Sequence, residues 1–118
     1  MIYAKQAVSP QFLTTDLRVY YTAPLGVGPP VGTSFIPTGW THHNVSSGAA
    51  TLTIYIVPKG ESPQNGGRLC TKTLTAGQFW TPWELLRHVL NPGDTIQMMA
   101  DKAAAVTVIV SGYEQTQT

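Results

Sequence analysis

The stretch that most narrows the fold is Thr51-Leu52-Thr53-Ile54-Tyr55-Ile56-Val57, in which apolar and hydroxyl-bearing residues alternate with a period of two. Successive side chains of a β-strand point to opposite faces, so Leu52, Ile54 and Ile56 share one face and Thr51, Thr53 and Tyr55 the other. One greasy and one polar face describe a half-buried antiparallel strand. The same alternation returns near the end of the chain, where Val106, Val108 and Val110 are added to the expected core. Between these stretches, segments rich in β-branched and aromatic residues (17–23, 33–45, 68–74, 89–99) are separated by clusters of Gly, Pro and Asn.

Six to eight short strands with hardly any helix predict an all-β chain: an antiparallel β-sandwich, jelly-roll-like, with at most one short helix. Residues 84–90 suit one or two helical turns or a strand, since seven residues are too few for periodicity to decide. Pro37 and Gly39 predict a bulge or bend within 33–45. Asn91-Pro92-Gly93-Asp94 has the chemistry of a turn, with Asp94 bonding local amides, and the residues around and after it are expected to form two paired strands. Residues 1–16 lack sustained periodicity and read as an extended N-terminal arm, with the sandwich domain over 17–118. At 118 residues the chain is long enough to form a core without disulfides, and it has a single cysteine, Cys70, expected to be buried and reduced.

Charge limits the function classes. Only 11% of residues are charged, against about 25% in an average soluble domain. A surface so poor in charge suggests cover by other subunits. The net charge of +1 and the absence of any Lys/Arg cluster argue against nucleic acid, and no apolar run is long enough to span a membrane.

Candidate chemistry is sparse. His42-His43 is the only adjacent histidine pair, but neighbours on a strand face opposite ways and cannot readily share an ion, so no metal is expected. The six acidic residues are scattered, and there is no Gly-x-Ser-x-Gly motif. Gly26-x-Gly28 runs into Pro29-Pro30, which have no amide hydrogens for a phosphate. Neither an enzyme nor a cofactor is expected. Asn44-Val45-Ser46 matches the glycosylation triplet, which has meaning only in a secreted protein. Trp40, Trp80, Trp83, Tyr20, Tyr21, Tyr55 and Tyr113 would suit either a sugar platform or core and interface packing. Tyr3, Phe12, Trp40, His42, His43, Trp80 and Trp83 are the candidate partner-contact residues.

A resemblance joins these segments. Tyr20-Tyr21-Thr22-Ala23-Pro24, the strand ending at Asn44, Thr51 to Gly60, Val89-Leu90-Asn91-Pro92-Gly93-Asp94-Thr95-Ile96-Gln97, and Val106 to Val110 with Ser111-Gly112-Tyr113-Glu114 follow one another in the order found in small tailed-bacteriophage virion proteins. The likeness covers roughly residues 17–114. Two features depart from the pattern: the Pro/Gly richness of 25–32, and Tyr113, where an aliphatic residue is commoner. The resemblance implies a jelly-roll subunit of the virion, assembled in the bacterial cytoplasm, with no catalytic residues to carry over. Its role would be head decoration or cement, bridging major capsid subunits, with a homo-oligomer, a trimer foremost, as the working form. The alternative is a tail or fibre accessory subunit, with or without a carbohydrate-binding surface. The arm and the 58–67 loop are expected to reach neighbouring subunits.

Overall fold

The computed structural model describes residues 2–25, 32–63 and 68–117. The chain forms eight strands: β1 (Ile2–Phe12), β2 (Arg18–Thr22), β3 (Gly32–Asn44), β4 (Ala50–Val57), β5 (Arg68–Leu74), β6 (Phe79–Trp80), β7 (Thr95–Ala100) and β8 (Val106–Gln117). They build two four-stranded antiparallel sheets in the orders β1-β8-β3-β6 and β2-β7-β4-β5. These interleaved orders are those of a jelly roll, and they confirm the all-β sandwich read from the alternation.

The core lies between the sheets and is supplied by the period-2 positions. Leu52, Ile54 and Ile56 of β4 face Val106, Val108 and Val110 of β8, and all six are buried. Phe35, Trp40, Leu74, Ile96 and Met98 complete the filling. The bulge predicted in 33–45 is present as a register shift between Pro37 and Gly39, opposite Gly112 and Ser111 of β8. A Cβ on Gly112 would run into the Ile36 carbonyl, so only glycine allows β3 to cross β8 this closely. Residues 83–85 form one 3-10 turn, and Arg87, at φ 65°, turns the chain out of it.

Two expectations change. The segments 95–99 and 106–114 are not paired: β7 lies between β2 and β4, whereas β8 lies between β1 and β3 in the opposite sheet. The reason is topological, because among the described strands only β4 and β5 are both consecutive and paired; every other connection passes from one sheet to the other. Asn91–Asp94 is therefore a crossing turn. Asp94 does hold it, accepting from the Asn91 amide at 2.9 Å and from the Lys59 amide at 3.0 Å, while Gly93 takes φ 90°. The second change concerns the first 16 residues. They are extended as expected, but residues 2–12 lie along β8 as the edge strand of their own sheet. Of the loops expected to reach neighbours, residues 64–67 lie outside the described residues, as do 26–31 with the Gly26-x-Gly28 sequence.

Candidate functional site

Strand parity sorts the polar residues into those that hold the sandwich and those that face outward. On β8, Glu114 shares the parity of Val106, Val108 and Val110 and is buried with them. Tyr21, from the opposite sheet, donates its hydroxyl to Glu114 Oε2 at 2.5 Å and packs its ring against Phe35 with centroids 4.8 Å apart. Burial, and then the hydrogen bond to Glu114, raise the Tyr21 pKa far above the ordinary tyrosine range. Tyr3, opposite Glu114 in the β1–β8 register, also has its phenol pushed up, chiefly by hydrogen bonding to Glu114. A phenol held protonated is a donor and not a base, so the arrangement ties the two sheets together and creates no activated nucleophile.

A second internal cluster sits at the other end of β3. Trp40, His42 and Asn44 all point inward, and Trp80 of β6 stacks on His42 with centroids 5.6 Å apart. Asn44 is fully used: its Nδ2 donates to the carbonyls of Gly48, Leu74 and Thr75, and its Oδ1 accepts from the Ser46 amide and hydroxyl. The glycosylation triplet is thus a structural knot, with its amide inside the fold. His42 differs. Among the described residues, neither of its ring nitrogens nor Trp40 Nε1 meets a hydrogen-bond partner, and burial lowers the His42 pKa to about 3. Among the described residues no group of three or more His, Cys, Asp or Glu is placed to hold a metal ion.

The nominated contact residues therefore divide. Trp40 and His42 are 1% and 0% exposed and are core residues, which corrects their nomination as surface contacts. Their parity with Asn44 on β3 was the signal for this; their chemistry alone pointed outward. Trp80 is partly buried against the core. Tyr3, Phe12 and Trp83 are exposed, and His43 lies on the outer face with its ring stacked on Phe79 at 3.8 Å. The aromatic residues form no common platform. Tyr55 and Tyr113 stand on the outer faces of opposite sheets, while Tyr21 and Trp40 are inside.

What remains accessible is two sheet faces with an unusual composition. Among the described side chains, no outward strand position of either sheet bears a charge. On β1-β8-β3-β6 the outward residues include Ile36, Ile109 and Tyr113, and on β2-β7-β4-β5 they include Thr51, Thr53, Thr71 and Thr73. The charged side chains lie in turns or on edge strands, such as Lys5, Arg18 and Lys72, or point inward, as Glu114 does. Comparison of the chain with protein-family models, with curated proteins and with solved structures returns no match.

Proposed function

We propose that this chain is a structural protein of a tailed-bacteriophage virion that decorates the head and cements it by bridging major capsid subunits. The observation that carries the reading is the confinement of charge, among the described side chains, to rims and turns, which leaves the outward positions of both broad faces without a charge. A solitary soluble domain relies on surface charge for solubility, whereas a subunit surrounded by neighbours buries such faces. The order of segments shared with small phage virion proteins and the jelly-roll topology support the same reading. Cement needs no strong single contact, because interfaces of modest area repeated by symmetry add up over a shell.

The test is attachment. Purified protein is mixed with head shells that lack it and the mixture is sedimented. The expected outcome is saturable co-sedimentation and a higher temperature of shell disruption. Protein that stays in the supernatant with shells but sediments with isolated tails would overturn the head assignment in favour of a tail accessory subunit. Removal of residues 1–12 is not a suitable probe, because it would strip the edge strand from β8.

A further inference from the structure

Where β3 bends against β8, the outer face of β1-β8-β3-β6 is hollowed. A depression of about 320 Å³ opens between β1 and the bulge, lined by Gln6, Thr38, Ser111 and Tyr113, with Lys5 the one charged residue of its lining. Gly39, opposite Ser111, adds no side chain to the surface there, and a Cβ on it would stand 3.0 Å from Ser111 Oγ. Tyr113 borders the hollow and is 47% exposed.

The polar groups around this hollow are not engaged by the fold. Among the described residues, the side chains of Lys5, Gln6, Thr38, Ser111 and Tyr113 make no hydrogen bond or ion pair. The outer face of the other sheet differs, since Thr51 and Thr73 bond each other at 2.9 Å and Gln97 Nε2 donates to Thr95 at 3.1 Å. Three unengaged hydrogen-bonding side chains therefore meet one exposed aromatic residue in a single concave place.

We propose that the hollow binds one pyranose unit of a glycan, with its C–H face on the Tyr113 ring and its hydroxyls bonded by Gln6, Thr38 and Ser111. A sugar hydroxyl both donates and accepts, and so do serine and threonine hydroxyls and the glutamine amide. The tyrosine ring offers apolar surface to the ring hydrogens, and its own hydroxyl stays wet. Other ligand classes match this lining less well. A wholly apolar ligand would leave the polar groups without partners, and a phosphate-rich one calls for more cationic groups than Lys5. The volume is at the small end of ligand sites, ~300–1,000 Å³, which suits a single sugar. An open site for a ligand of about a dozen heavy atoms binds at millimolar strength, and a repeated subunit would add avidity. The site does not depend on the virion reading. On a head subunit it turns this face outward and leaves the shell contacts to the rest of the surface.

The test is titration of the isotope-labelled full chain with the methyl glycosides of glucose, galactose, N-acetylglucosamine and glucuronic acid, to about 50 mM, followed by amide chemical shifts. At least one sugar should move the amides of Gln6, Thr38, Ser111 and Tyr113 saturably. Tyr113→Ala should weaken that binding at least about fivefold, with amides distant from the hollow unmoved. Should Tyr113→Ala fail to fold, Ser111→Ala at an equally exposed position decides in its place. Thr53→Ala, on the other sheet, should leave binding unchanged. No saturable shift with any of the four, shifts centred away from the hollow, equal shifts from glycerol, or binding that survives both Tyr113→Ala and Ser111→Ala would each overturn the site. A chain that coats shells but binds no sugar would overturn the site alone, and one that binds sugar but neither shells nor tails would overturn the virion reading alone.

Discussion

Burial of His42 makes the stability of this sandwich depend on pH. The imidazole is enclosed between Trp40 and Trp80, and burial lowers its pKa from the ordinary 6.5 to about 3. The unfolded chain therefore takes up this proton first as pH falls. The neutral ring's contribution is complete above pH 6.5 and is lost between pH 6.5 and about 3, at up to about 1.4 kcal/mol per pH unit. For these two pKa values, linkage makes the fold about 2 kcal/mol less stable at pH 5 than at pH 7.5. For a domain of this size that is a fall in Tm of roughly 8 °C. The perturbation is His42→Leu, close in volume and unable to titrate. Urea unfolding followed by tryptophan fluorescence at pH 7.5, 6.5, 5.5 and 5 measures both proteins, and subtracting the curves isolates His42 from the other titrating groups. The leucine variant should be at least as stable as the wild type at pH 5, since it also removes two buried nitrogens that lack partners among the described residues. Parallel curves, within about 0.5 kcal/mol across the range, would show that the ring is not held neutral by burial and would refute the reasoning.

Two further substitutions examine the closest contacts of the fold. Gly112→Ala drives a methyl group into the Ile36 carbonyl where β3 bends over β8, and should cost more than about 3 kcal/mol or prevent folding, read as loss of the cooperative thermal transition. Tyr21→Phe keeps the ring on Phe35 but removes the Tyr21 hydroxyl that donates to the buried Glu114 across the two sheets; a loss of about 2 kcal/mol in urea unfolding is expected, and a loss below about 0.5 kcal/mol would show that the pair does not tie the sheets.

Alternation is the part of the fold that is legible in the sequence. Leu52, Ile54 and Ile56 and the three valines of β8 landed in the core because a period of two admits only one assignment of faces once one face is apolar. Extending the same parity by two steps would have placed Glu114 inside, and on β3 it would have placed His42 with Trp40 and Asn44. Residue chemistry pulled the other way, since a carboxylate and an imidazole read as surface groups. Pairing was much less legible. Neighbouring strands in sequence suggest hairpins, but the crossings between sheets leave β4–β5 as the only consecutive pair among the described strands. The first 16 residues have weak alternation because β1 is an edge strand whose register shifts twice against β8, between Gln6 and Val8 and again between Val8 and Gln11, so the period is broken where it would have been counted. The Tyr21–Glu114 contact, 93 residues apart in the chain, has no local signature.

The position of β8 has a consequence for how the chain comes into being. It is the last of the eight strands to leave the ribosome, yet β1 and β3 both pair with it along most of their length. Until residues 106–117 are free, β1 has no neighbour in its sheet and β3 has only the two-residue β6. The greasy faces of β3 and β4 must therefore wait, exposed, until β8 has been made, and the sandwich closes through long-range pairings that are intrinsically slow. A nascent chain stalled before residue 106 should be as sensitive to protease as an unfolded one, and a chaperone that shields such chains would raise the yield of folded protein.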